Sequence, residues 1–448
     1  IRNGFSNSNN RTVPPEGFGK LNENIQIQLD GSFTSPIMSF TNDSHDPKRV
    51  EVTYNDMPAI NDELLIKEKT FRQYANLYFI RLLGLRTDVL NSAQKKWGSS
   101  LGLNVNMVNK ILDVKLGVTC CIVGTVYTEM RFKPNILDEV TKEREIIVTG
   151  LIMAVLGKEN SEGSFEVCDI CVAGLPYQPP KPIITDDKYI ALISGMNIGP
   201  NSSSALQLQL MTEYLTGELG NSFVQDYTSK IARMIVAGNS LQEAKVVEDE
   251  KKEKKYGYDS SSYNAQPIFD LDNILNEICS ELPVDLMPGS NDLANTFLPQ
   301  QPFISSLLPK TCQNSSFRRV TNPYWCGIDG VVFLGTSGQT IDDIAKYVED
   351  EDRLKLAEQT LHWRHVAPTT PDTLWCHPFR DYDPFIMKQT PHVYFIGNQK
   401  EFATTIIKGP EQQCVRIILL PSFAETGNIV LVNLKNLECH TISFSSTF

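Results

Sequence analysis

Hydrophobic positions along this chain follow two periods in turn. Over 69–86, KTFRQYANLYFIRLLGLR, the residues Phe71, Tyr74, Leu77, Tyr78, Leu82 and Leu85 recur near one face of a 3.6-residue period. That spacing predicts a helix docked by its apolar stripe. From 117 to 172 the pattern turns to β-rich runs punctuated by glycine: GVTCCIVGTVY, REIIVTGLIMAVLG and GSFEVCDICVA. Beyond 183 strand and helix patterns alternate. KYIALIS (188–194), a helix over 206–219, RMIVAG (233–238), a helix over 269–282 and VDLMPG (284–289) follow one another. The last third adds VVFLGTSG (331–338), helices near 341–348 and 351–363, and strands at 392–397, 414–420 and 428–434.

The fold class this predicts is α/β plus all-β. Residues 1–60, rich in Asn, Ser, Asp and Pro, form an extended arm. Residues 61–175 hold the helix and an OB-type β-barrel, and 176–182, within LPYQPPKP (175–182), form a proline-stiffened linker. Residues 183–448 form an α/β domain carrying a charged loop at 245–266. An OB barrel needs five strands and only three are legible. Val140 is followed almost at once by the run REIIV that starts at Arg144. Four residues cannot cross a barrel at about 3.6 Å each, so a break or deletion is expected at 141–146, and another near 245–266. The short linker also predicts that the two domains pack tightly without swinging.

Charge narrows the function. The 448 residues carry 41 Lys and Arg against 53 Asp and Glu, a net charge of −12. A protein that grips nucleic acid by itself shows the opposite balance. No apolar run approaches the roughly 20 residues that span a bilayer, so no membrane role is expected. The ten cysteines include only one C-x-x-C, Cys168 to Cys171, with no second ligand pair at zinc spacing, and they read as reduced thiols. The six histidines form no ligand pattern; His362 and His365 read as neighbours on one helix face. No G-x-S-x-G elbow, Walker loop or Cys–His signature appears.

Ligands bind α/β sheets at the carboxyl ends of the strands. Those ends read Ser194-Gly195-Met196-Asn197, Gly238-Asn239, Gly289-Ser290-Asn291-Asp292 and Gly397-Asn398-Gln399-Lys400. Their order resembles the calcineurin-like metallophosphoesterases, whose strand ends read D-x-H, G-D, G-N-H-D/E and G-H-x-H and hold two metal ions. The resemblance implies that Gly195, Asn197, Asn239, Ser290, Asn291, Asn398 and Lys400 stand where metal ligands or their neighbours would be, with Asp292 alone retained. Two divalent cations need several carboxylates and imidazoles, which neutral amides and a lysine do not replace. The expectation is a phosphoesterase-like sandwich that lacks its metal ligands, with no catalytic residue, metal or cofactor.

A degraded phosphoesterase domain after an OB barrel resembles the B subunits of family-B replicative DNA polymerases. LPVDLMPGSNDLANTFLPQQPF (282–303), VTNPY (320–324), FLGTSGQ (333–339), APTTPDTLWCHPF (367–379) and DPFIMKQTPHVYFIGN (383–398) carry the likeness. So do FRQYANLYFIRL (71–82), CCIVGTVY (120–127) and KPNILDEV (133–140). Together they resemble the second (B) subunit of DNA polymerase delta. This implies a nuclear scaffold in replication and repair, shared with the translesion polymerase zeta. It would hold the cysteine-rich C-terminal domain of the catalytic polymerase subunit and a small third accessory subunit, and meet DNA only through the complex. Two other readings are an active phosphoesterase with atypical ligands, which bound metal among Gly195, Asn239 and Asn398 would reveal, and an OB protein binding single strands. The second needs aromatic residues on a basic face, and the strands offer Tyr127 and Phe165 with few lysines. Trp97, Trp325 and Trp375 are candidate interface anchors, each weighed against filling its own core.

Overall fold

The computed structural model describes residues 26–29, 33–34, 47–67, 73–101, 106–128, 146–200, 205–243, 264–348 and 352–445. Both expected chain breaks, 141–146 and the charged loop, fall largely outside the described residues.

Two sheets lie face to face. One has eight strands, with Val284–Met287, Ile231–Ala237 and Tyr189–Ile193 parallel at its centre. The other has six, with Val331–Thr336, Val393–Gln399 and Cys414–Pro421 parallel. Alternation along each strand divides the core. Ile190 and Leu192 turn inward to meet Phe333, Phe395 and Ile418 of the opposing sheet. Ala191 and Ile193 turn outward beneath the helices Ala205–Thr216 and Gln266–Glu281. Strands covered on both faces read as continuous apolar runs, which is why they were legible.

A third sheet carries Asn106–Val108, Cys120–Thr125, Ile152–Glu159 and Phe165–Cys171 in that order. The sequence showed three of these strands; Asn106–Val108 is too short to declare itself. Among the described residues the sheet stays open, so the expected closed barrel is not formed by them. The helix Ala75–Leu101 packs on this sheet. It runs well past the predicted 86, because Leu77, Arg81, Leu85, Val89, Ala93 and Trp97, each four apart, make one continuous buried row. Tyr74, counted in the apolar stripe, is exposed.

The small sheet and the large pair share a core. Leu77, Val148, Leu151 and Met153 belong to the same buried cluster as Trp325, Leu334, Leu361 and Tyr394. The segment 176–182 is pinned along this junction. Gln178 Nε2 donates to Pro391 O (2.9 Å) and Cys414 O (2.8 Å), and Thr390 Oγ1 donates to Pro176 O (2.6 Å). Residues 47–60, read as the end of an arm, are tied down too. Arg49 donates to the carbonyls of Leu215, Thr228 and Ile231, and Tyr54–Asn55 adds an edge strand to the six-stranded sheet. None of the ten cysteines is paired.

Candidate functional site at the strand ends

The loops that leave the parallel strands meet at one end of the two facing sheets. Gly195 N donates to Gly238 O and Asn197 N to Asn239 O, both at 3.0 Å. Asn398 N donates to Ser194 Oγ (3.0 Å), and its Nδ2 donates to Ala237 O (3.2 Å) and Ser337 O (2.8 Å). Asn239 Oδ1 accepts from Ser290 Oγ and Asn291 N, both at 3.2 Å. The structure thus brings together every strand-end position singled out in the sequence except Lys400, which is exposed.

Backbone geometry accounts for the residue types. Gly195 (φ 64°), Asn197 (φ 46°), Asn239 (φ 53°) and Asn398 (φ 55°) are all left-handed. Asparagine is among the few side chains that tolerate this region, and such outliers cluster at functional sites. The side chains then close on one another. A Cβ at Gly195 would lie 2.7 Å from Ser422 Oγ and 2.9 Å from Asn398 Oδ1, and one at Gly289 would lie 2.3 Å from both N and Oδ1 of Asn239. An aspartate at 195 therefore has no space without displacing these groups. The buried Oδ1 atoms of Asn197 and Asn398 have no protein partner.

Asp292 does not face this centre as a free ligand. Its Oδ1 accepts from Leu241 N (2.9 Å) and its Oδ2 from Gly289 N (2.7 Å), so it clips two loops together. Burial pushes its carboxyl up to about 6, against the pull of these backbone N–H groups. Among the described residues, no three His, Cys, Asp or Glu side chains gather closely enough to hold a metal ion.

A second neutral group abuts the first. Asn322 Nδ2 donates to Gln300 Oε1 (2.9 Å), Ser337 Oγ (2.6 Å) and Gln339 Oε1 (2.8 Å). Gln300 Nε2 donates in turn to Gly289 O (2.9 Å), tying this network to the strand-end loops. Sequence reading missed it, although Gln300, Asn322 and Gln339 all lie in the segments that carried the likeness.

Two of the tryptophan anchors are corrected. Trp97 is 3% exposed, continues the buried helix row and donates Nε1–H to Asp169 Oδ2 (2.7 Å). Trp325 is also 3% exposed, within the core shared by the two parts. Trp375 is 70% exposed and remains a surface residue. The histidine reading is corrected as well. The helix Arg353–His362 ends before His365, which is buried against Asp383 (2.9 Å).

That histidine belongs to a charged group the sequence reading did not foresee. Arg81, 1% exposed, donates Nε–H to Asp383 Oδ2 (2.8 Å), Nη1–H to Pro368 O (2.8 Å) and Gly150 O (3.2 Å), and Nη2–H to Thr370 Oγ1 (3.0 Å). His365 Nδ1 accepts from Ala367 N (3.2 Å), which makes Nε2 the protonated nitrogen of a neutral ring. Burial, then Arg81, push its pKa down to about 4 against the opposing pull of Asp383. Burial raises the Asp383 carboxyl, but His365 and Arg81 outweigh it and hold it well below the usual range. The one signal available was an arginine spaced four residues from both Leu77 and Leu85.

Comparison with known proteins agrees with this architecture. Residues 190–404 match the family described as the B subunit of DNA polymerase alpha/epsilon, and residues 73–147 match the DNA polymerase delta subunit OB-fold domain. The DNA polymerase delta small subunit of Arabidopsis thaliana is 40% identical over 432 residues, covering 88% of this chain and 96% of that protein. That of Saccharomyces cerevisiae is 33% identical over 461 residues, covering 85% and 91%. The DNA polymerase delta subunit 2 of Drosophila melanogaster is 31% identical over 435 residues, covering 89% and 98%. The chain belongs to the family of DNA polymerase delta small subunits, the accessory rather than catalytic members of a replication polymerase.

Proposed function

We propose that this chain is a non-catalytic scaffold of DNA polymerase delta. It holds the cysteine-rich C-terminal domain of the catalytic subunit on one surface and a small third accessory subunit on another. The same scaffold serves polymerase zeta, works in the nucleus, and reaches DNA only through the complex. Its larger domain is a calcineurin-like phosphoesterase frame whose metal ligands have been replaced at Gly195, Asn197, Asn239, Ser290, Asn291, Asn398 and Lys400. The observation that carries this reading is the closure of the strand ends. Amides bond to backbone there and to one another in the adjoining Gln300, Asn322 and Gln339 group, and the retained Asp292 is committed to two N–H groups. A hydrolytic pair of metals needs several anionic ligands, and amides supply none. The shared core between the small sheet and the large pair supports the scaffold role, since a fixed composite surface avoids ordering costs on binding.

The test has two arms. Co-purification of the full chain with the cysteine-rich domain of the catalytic subunit is expected, and its failure would remove the scaffold reading. No Mn-dependent hydrolysis of bis-p-nitrophenyl phosphate is expected. Hydrolysis that Asp292→Ala abolishes would restore the phosphoesterase reading instead.

A further inference from the structure

Between the segment that begins at Tyr54 and the edge strand Phe317–Arg319 lies a cavity of about 300 Å³. Pro58, Leu65 and Pro302 give it apolar walls, and Arg318 and Arg319 line it as well. Two guanidinium groups lie over the ring of Tyr54, the buried Arg233 at 4.2 Å and the exposed Arg318 at 4.3 Å. The ring cannot drift. Its hydroxyl bonds to that of Tyr324, which also donates to Asp285 Oδ2 (3.1 Å). Asp285 in turn holds Arg233 Nη1 at 2.6 Å. Arg318 is thus stacked on a platform anchored in the core while its own charge stays at the surface.

Neither Arg318 nor Arg319 has a carboxylate within ion-pair distance among the described residues. Arg319 spends Nη1 on Phe303 O (2.6 Å). Elsewhere in this acidic chain, Arg353, Arg364 and Arg380 each meet an aspartate, at 2.8, 3.0 and 3.6 Å. A stacked guanidinium loses little freedom on pairing and presents its donors as a planar fork that matches a carboxylate.

We propose that this cavity is a docking site for a peptide segment of a partner protein, with a carboxylate side chain on Arg318 and an adjacent apolar side chain between Pro58, Leu65 and Pro302. The other charges on the cavity select this ligand over a nucleic-acid strand. Asp56 and Asp62 line the same cavity. They repel a run of phosphates more than a single carboxylate, and a peptide backbone offers them N–H donors. The proposal does not depend on which polymerase subunits the chain binds.

The test uses the full chain labelled with ¹⁵N-arginine, titrated with N-acetyl-Leu-Glu-amide, its Leu-Gln counterpart, and a single-stranded thymidine oligonucleotide. The glutamate peptide is expected to shift the Arg318 Nε–Hε signal saturably. The glutamine peptide should bind about 10–100-fold more weakly, the usual worth of a charge-assisted hydrogen bond. Arg318→Ala, at an exposed position, should lose binding by a similar factor while the chain stays folded, read from an unchanged far-UV circular dichroism spectrum. Arg318→Lys, which keeps charge without the stacked fork, should recover only part of it. Equal binding of the two peptides, no saturable shift, or oligonucleotide binding that Arg318→Ala abolishes would each overturn the proposal.

Discussion

Two clusters of buried polar side chains in this chain solve opposite problems. At the junction of the small sheet and the large pair, Arg81, Asp383 and His365 bury charge. At the strand ends, Asn239, Asn398, Gln300, Asn322 and Gln339 are neutral amides, buried or half-buried. The charged cluster is specific because every member is committed. Arg81 reaches the carbonyls of Gly150 and Pro368 as well as Asp383, residues from three separate stretches of chain. Sliding the helix Ala75–Leu101 would strand that charge in the core, where an unpaired ion costs several kcal/mol, of order 3–5. The amide cluster has no such obligation. Its amides carry no charge: Asn322, Gln300 and Gln339 bond to one another, Asn398 donates to backbone, and its Oδ1 stays unpartnered. The lesson is that burying a charge fixes how two parts of a chain meet, whereas amides join loop ends without that obligation.

The largest expected effect breaks the charged side. Arg81→Ala should destabilise the chain by about 3–5 kcal/mol, because it leaves Asp383 ionised in the core. The urea midpoint reads this, and a loss below about 1 kcal/mol would mean the carboxylate finds water or another partner.

Acid comes next, and two buried groups, His365 in the charged cluster and Asp292 beside the amides, respond with opposite sign. The usual pKa of His365 is 6.5 and its folded value about 4, so the unfolded chain binds more protons in between. Its contribution is complete above pH 6.5 and is lost as pH falls toward 4. Asp292 is raised from 3.8 to about 6, so its folded form binds more protons in that window and its contribution falls as pH rises. His365→Gln removes the first term and leaves the second. Between pH 6.5 and 4 this variant should lose less stability than the parent, by up to about 3 kcal/mol. Parallel pH profiles for the two would show that His365 does not titrate as its burial implies.

On the neutral side, Gln300→Ala should cost about 1–3 kcal/mol, the penalty for removing the acceptor of Gln339 Nε2 together with one bond each to Asn322 Nδ2 and Gly289 O. A cost matching that of Arg81→Ala would erase the contrast between the clusters. Trp375→Ala should change stability by less than about 0.5 kcal/mol, since its side chain is largely in solvent. A larger thermal shift would make it part of the core rather than of a surface.

Local pattern made much of the larger domain readable. KYIALIS became Tyr189–Ile193, VDLMPG became Val284–Met287 and VVFLGTSG became Val331–Thr336, because strands buried on both faces are short, apolar and bounded by glycine or proline. Tyr324–Ile328, Ala403–Lys408 and Cys439–Ser445 were missed. The first contains a tryptophan and a glycine, and the second alternates only weakly. The strand-end positions were legible because turns after parallel strands concentrate Gly and Asn. Their left-handed backbone and mutual hydrogen bonds were not.

The sequence by itself determined the order of the central parallel strands and the main helices beside them, the acidic balance and the neutral chemistry of the strand ends, since these depend on residue type and near-neighbour spacing. Only the tertiary structure decided that Trp97 and Trp325 are core, that Trp375 is surface, and that Arg81 finds its partner in Asp383. The physical reason is range. Periodicity reports which face of an element is apolar, but a buried ion pair joins residues 302 positions apart, and nothing local to either announces the other.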